Sequence, residues 1–200
     1  MKLPHPSLAG GVPLEIAVNN RRCIRAFTSD HLTLKQFSQL LWSAQGITGN
    51  RGFKRSTPSA GALYPMDVYA VTGPAKVNGM NAAVYHYEPS GHAVTVIYEG
   101  DQRQLLARAS LSQMWMAEAP INLVITAEYD RINVKYGHRG IRYAMIEAGH
   151  IAQNIFLMAE SLGLGAGIVG AFEDQNVIRT LHLPKTHEPL LIMPVGGKSY

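Results

Sequence analysis

The stretch that most limits how this chain can fold is RGIRYAMIEAGHIAQNIFLMAESLG, residues 139–163. Ala144, Ala148, Ile151, Ile155, Ala159 and Leu162 recur at helical spacing and form one apolar stripe. Met145, Phe156 and Met158 put apolar groups on other faces, and Gly163 supplies a stop signal. A helix that is apolar on most sides has to be buried on most sides. Two hundred residues offer about one domain's worth of core in which to bury it. The rest of the cover is expected from a second copy of the chain. Composition points the same way: charged residues make up 16% and hydrophobic ones 46%, lean in charge for a soluble monomer.

Other segments are easier to place. Thr33 and Gln36 form a capping box that opens a helix over LKQFSQLLWSAQ, ending near Gly46. Pro13 suits the first turn of a short helix, PLEIAVNN. MDVYAVTG, INLVITAEY and PLLIMPVGG read as strands, and AAVYHYEPSGHAVTVIYEG as a hairpin turning at Pro89-Ser90-Gly91. DQRQLLARASLSQMWMAEA and EDQNVIRTLH read as helices. Residues 46–65, GITGNRGFKRSTPSAGALYP, form a long loop of the kind that is functional or disordered. Without strict βαβ alternation, this pattern predicts an α+β fold, a mixed or antiparallel central sheet with helices around it, as one domain over 1–200.

Several function classes are disfavoured. The net charge of +4 is concentrated in two knots, Arg21, Arg22 and Arg25, and Arg51, Lys54 and Arg55. Knots suit a local anion better than a nucleic-acid track. A lone cysteine, Cys23, allows no intrachain disulfide and points to a reducing compartment. The N-terminal stretch has no continuous apolar core and no later run spans a membrane, so the expectation is a cytoplasmic protein without membrane partners. His138 and His150, and His182 and His187, lack metal-ligand helix spacing, so no metal is expected. Gly165, Gly167 and Gly170 match G-x-G-x-x-G but run from helix to strand, the wrong context for a dinucleotide fingerprint. They read instead as backbone that approaches a ligand edge-on.

RRCIR, residues 21–25, is an anion-binding candidate because guanidinium groups grip phosphate bidentately; Arg55 and Lys198 are further candidates for the same anion. PSAGALYP lets a planar ligand approach the backbone, since Gly61 has no Cβ and Ala60 and Ala62 hardly project, while Ser59 offers a hydroxyl. A tight turn before a strand is the plainer reading. Lys135-Tyr136 sets two proton-transfer groups side by side, or is an ordinary surface loop. Glu147 and His150 can touch on the long helix, as a structural or a catalytic pair. Trp115 and Phe53 are candidates for shaping a pocket, or for core packing.

Together RRCIRAF, LTLKQFSQLLWSAQGIT, RSTPSAGALYPMDVY and RYAMIEAGHIAQNIFLMAESLGLGAGIVGAF resemble, in order, the signatures of the FMN-dependent nitroreductase superfamily, and more narrowly its SagB-type dehydrogenase branch. The resemblance implies an intertwined homodimer with FMN in the subunit interface, and NAD(P)H as a possible co-substrate. It implies that Arg21, Arg22, Cys23, Arg25 and Lys198 hold the cofactor. Pro58, Ser59, Ala60 and Gly61 would meet the flavin of the other subunit, and Val169, Gly170 and Ala171 would bring a backbone N–H to flavin N5. Lys135 and Tyr136 match the branch's catalytic pair for azoline oxidation. Cys23 stands where the family usually carries serine, exchanging a good donor for a weak thiol. The chain is read as lacking the extra N-terminal domain that peptide-modifying members often carry. The implied activity is hydride transfer between flavin and a small substrate. The alternatives are azoline-to-azole dehydrogenation, a flavin-binding protein without turnover, and a basic interaction domain without a cofactor.

Overall fold

The computed structural model describes residues 1–49 and 53–199; Arg51, in the second basic knot, lies outside them. In chain order the helices are α1 (Leu14–Asn20), α2 (Leu34–Gln45), α3 (Arg103–Ala109), α4 (Asp130–Tyr136), α5 (Arg139–Ser161) and α6 (Asp174–Leu181). The strands are β1 (Ile47–Thr48), β2 (Lys54–Arg55), β3 (Met66–Thr72), β4 (Ala83–Glu88), β5 (Ala93–Glu99), β6 (Ile121–Ala127), β7 (Leu164–Ala166) and β8 (Glu188–Gly197). The described residues form a six-stranded sheet ordered β5-β4-β3-β6-β8-β7, antiparallel at every neighbouring pair. Among the described residues, no helix is long and apolar enough to cross a membrane.

β3 and β6 are buried along their whole lengths, as central strands covered on both faces are, and their mostly apolar sequences carry only Asp67, Thr72, Asn122 and Thr126 as polar members. One face packs on α2 and α5, with Phe37, Leu40, Ile151 and Ile155 in the core; the other packs on α3 and α6 through Leu106, Val177 and Leu181. The fold is α+β, as the pattern predicts. The capping box forms as read: Thr33 Oγ1 accepts from Gln36 N, and the Gln36 side chain accepts from Thr33 N. α5 ends before Gly163, whose φ of 72° is left-handed.

Two local expectations are corrected. The helix read through residues 101–119 breaks after Ala109, because Leu111 and Ser112 take left-handed conformations; a 3₁₀ turn over Met114–Ala117 follows. Lys135 and Tyr136 are not in a loop but end α4. The long helix is buried along its Ala144–Ala159 stripe, whereas Met145 and Ile146 on another face are about half exposed in the single chain. Ile151→Ala should cost about 2–5 kcal/mol of stability, read as a lower midpoint in urea unfolding.

Candidate functional site

The candidate residues gather in two groups. In the first, the chain from Cys23 to Thr28 runs along the β7–β8 edge of the sheet. Cys23 bridges Ala166, Ile24 N donates to Ala166 O at 2.9 Å, and Thr28 N donates to Gly197 O at 3.0 Å. This register sets RRCIR beside Lys198. Arg21 lies over the Phe156 ring at 5.1 Å, and Arg25 over Trp115 at 5.9 Å. Arg22 turns back to donate to the carbonyls of Asn19 and Arg21, closing α1. Among the described residues, none of these three arginines pairs with a carboxylate. Lys198 does: its Nζ sits 2.7 Å from Glu160 Oε2.

The glycines nearby divide by role. A Cβ on Gly165 would meet Ile24 Cγ1 at 2.8 Å, and one on Gly167 would meet Ile24 O at 2.7 Å and the Trp115 ring at 2.9 Å. Their bareness is used by the chain's own packing, which corrects the reading of both as ligand-facing. Gly170 keeps that possibility: among the described residues, a Cβ there would meet only Leu191, at 3.9 Å. Val169 is buried and exchanges hydrogen bonds with Ile192, while Gly170 and Ala171 are exposed. Trp115 is half-buried between Arg25, Phe27 and Gly167, and Phe53 is exposed.

The second group is built on the 58–64 turn. Gly61, Ala62 and Tyr64 all have left-handed φ, at 63°, 54° and 48°. Ser59 Oγ accepts from Tyr64 N at 2.9 Å, and Tyr64 Oη accepts from Arg55 N at 3.2 Å. The Arg55 guanidinium stacks over the Tyr64 ring at 4.4 Å and donates to Gln45 Oε1, which puts it in this group and not with Lys198. A Cβ on Gly61 would lie 2.8 Å from Tyr136 Oη and 3.0 Å from Lys135 Nζ. The fold therefore brings Lys135 and Tyr136 directly against the bare backbone. Tyr136 meets Tyr143 of α5 edge-on at 5.1 Å. Beside them, Pro58, Ser59, Ala60, Tyr143, Ile146, Glu147 and His150 line a cavity of about 270 Å³. Burial pushes the Glu147 carboxyl above its ordinary value, although Ser59, Gln45 and the Arg55 charge ease it.

The sequence reading missed what fixes α4. Arg131 bridges Asp67 Oδ2 at 2.7 Å and Glu128 Oε2 at 2.5 Å, and His86 Nε2 lies 2.8 Å from Asp67 Oδ1. Burial alone would raise Asp67, but the His86 hydrogen bond and the Arg131 charge outweigh it and hold the carboxyl below its usual range. Asp67, Glu128 and His187 also offer donor atoms within 4.8 Å of one another, as a metal site would. Arg131 already supplies the positive charge between the two carboxylates. No sequence spacing signals this cluster, since its members come from β3, the turn before α4 and the turn before β8.

The antiparallel sheet and its one long central helix thus carry a basic edge, an open glycine turn and a strained small-residue turn under Lys135 and Tyr136. The chain belongs to the nitroreductase family, whose model matches residues 18–197. A provisionally named nitroreductase of Methanocaldococcus jannaschii is 44% identical over 187 residues, 94% of this chain and 92% of that protein. The microcin B17-processing protein McbC of Escherichia coli is 28% identical over 169 residues, covering 82% of this chain and 62% of McbC. A solved structure of a provisionally named nitroreductase from Ralstonia eutropha superposes with a TM-score of 0.87 at 28% identity, over 100% of this chain and 89% of that one.

Gly61→Ala should destabilise by about 1–3 kcal/mol, because it forces a side chain into a left-handed position and against Lys135 and Tyr136. Gly170→Ala, with no crowding, should stay within about 0.5–1 kcal/mol of the parent in the same urea titration. The Asp67 contribution has a defined sign. Its folded value lies below the ordinary 3.8, so its stabilisation is present above 3.8 and is lost as pH falls through the lower folded value. Asp67→Asn should therefore flatten the acid limb of a stability–pH profile.

Proposed function

We propose that the chain is an FMN-dependent oxidoreductase, acting as a homodimer in which each flavin is gripped by one subunit and covered by the other. The observation that carries this reading is the pair Arg21 and Arg25, which rest on aromatic rings and hold charge with no carboxylate partner among the described residues, together with the open turn Gly170-Ala171 after β7. Uncompensated guanidinium groups favour an anionic ligand, and open backbone favours a flat one. Arg21, Arg22, Cys23, Arg25 and Lys198 would hold the phosphate, ribityl chain and ring edge, with the Cys23 thiol a weaker donor than the family's usual serine. The 169–171 backbone would approach flavin N5, where bound FMN supplies hydride transfer.

The division of the site supports the dimer. Phe156 and Glu160 of α5 meet the first group, whereas Tyr143 and Glu147 meet the second. At 1.5 Å per residue, Glu160 stands about 20 Å along the helix from Glu147. A second copy brings its own 58–61 turn to the first group's ligand. The exposed apolar residues Leu14, Ile16 and Val18 of α1 and Met145 and Ile146 of α5 offer surface for that contact. A reducing cytoplasm fits the single cysteine, and NAD(P)H is the proposed reductant for a small substrate.

A second reading is azoline-to-azole dehydrogenation with Lys135 as base and Tyr136 as proton donor. It is favoured by the placement of both groups on Gly61 and by the likeness to McbC. The purified protein should be yellow and bind FMN. Arg21→Ala and Arg25→Ala should each weaken FMN binding by about 1.5–3 kcal/mol, or about ten- to a hundredfold; unchanged titration curves would break the phosphate assignment. Lys135→Ala should leave FMN affinity intact. If it abolishes azoline oxidation and spares NAD(P)H-driven quinone reduction, the second reading gains; bound FMN that neither NADH nor NADPH bleaches counts against the first.

A further inference from the structure

Glu147 is a buried carboxyl with half of its hydrogen-bonding capacity unspent. The residue is 1% exposed, and among the described residues its Oε2 has no hydrogen-bond partner. Its Oε1 accepts from Gln45 Nε2 at 3.2 Å, and Gln45, itself 1% exposed, accepts at Oε1 from Arg55 Nη1 at 2.9 Å. This relay fixes every orientation in it. Arginine has donors only, so the Gln45 carbonyl must face Arg55 and its amide NH₂ must face Glu147. Glu147 Oε1 is then an acceptor, and a proton on this carboxyl belongs on Oε2, the oxygen left over.

We propose that the cavity beside Pro58–Ala60 is a hydrogen-bonding subsite in which Glu147, as a neutral acid, donates from Oε2 to an acceptor atom of a planar ligand lying on that backbone. The acceptor is a carbonyl oxygen or a ring nitrogen, on the edge of either the flavin or the substrate above it. The ligand's identity rests on the function proposed above, whereas the proton on Glu147 does not. At about 270 Å³ the cavity suits an edge or a small ring better than a whole ligand. Of the groups around it, the Ser59 hydroxyl, the Gln45 amide and the Arg55 charge favour the ionised form, and burial outweighs them. Tyr143 is a phenol, His150 is exposed on the same helix, and Lys135 lies against Gly61. An ionised Glu147 would turn a donor into a second acceptor and repel the same ligand edge.

The decisive pair is Glu147→Gln, which still donates from its amide, and Glu147→Ala, which cannot. In the FMN-free protein at neutral pH, an infrared difference spectrum of wild type against Glu147→Gln should show a protonated-carboxyl carbonyl band; its absence overturns the proposal whether or not the protein binds FMN. In FMN titrations and in KM for menadione, Glu147→Gln should stay within about twofold of wild type and Glu147→Ala should lose about tenfold. A loss in FMN affinity assigns the acceptor to the flavin, and a loss in KM alone assigns it to the substrate. The affected constant should weaken in wild type as pH rises through the Glu147 titration and stay flat in Glu147→Gln. Equal losses in both variants, or none in either, would overturn the subsite. Wild type that binds no FMN but shows the band would overturn the cofactor reading and leave the acid proton standing.

Discussion

One helix acts as the ruler of this molecule. α5 buries Ala144, Ala148, Ile151, Ile155 and Ala159 against the sheet and α2, and that burial fixes where its polar and aromatic residues can reach. Tyr143 meets Tyr136, and Glu147 meets Gln45. Asn154 donates to the carbonyls of Ser43 and Ser56 and to Thr57 Oγ1. Phe156 carries Arg21, and Glu160 carries Lys198. Both candidate groups therefore take their positions from the same buried stripe. A shift of α5 by one turn would dismantle both together.

Such a core has to accommodate polar groups where hydrophobic ones would pack more cheaply. Asn154 ties the start of the 56–65 segment to α2, satisfying backbone carbonyls that a buried loop would otherwise leave unpaired. The Asp67–Arg131–Glu128 network does the same for α4, a seven-residue helix too short to hold itself. Removing one member of this partly buried charge set leaves Asp67 uncompensated, so such a network enforces position more than it adds stability. Here the position enforced is that of Lys135 and Tyr136, one turn beyond Arg131.

The frame was legible because local signals and burial agreed. The Thr33–Gln36 box, the stop at Gly163 and the apolar runs of β3 and β6 depend on neighbours in sequence or on simple coverage of both faces. The helix read through residues 110–113 failed because Leu111 and Ser112 bear no mark of their left-handed backbone; that conformation lets the following turn set Trp115 against Phe27 and Gly167. α4 was invisible because its anchor joins residues from β3 and from the helix's own first turn. The glycines of residues 165–170 look alike in sequence, and only packing separates those that fit Ile24 and Trp115 from the one left open.

The two basic knots make the same point about charge. As sequence, RRCIR and the stretch around Arg55 are equivalent anion sites. The fold uses them oppositely. Arg21 and Arg25 rest on aromatic rings, which hold the stems in place without neutralising the guanidinium groups. Arg55 is drawn inward by Tyr64 and Gln45, its charge disfavoured by burial and its donors committed to the relay. One knot keeps guanidinium groups that pair with no carboxylate among the described residues, and the other commits its donors to Gln45 and through it to Glu147. A ligand shared between two such surfaces would be held at one end by charge and oriented at the other by a single hydrogen bond, which separates affinity from specificity within one site.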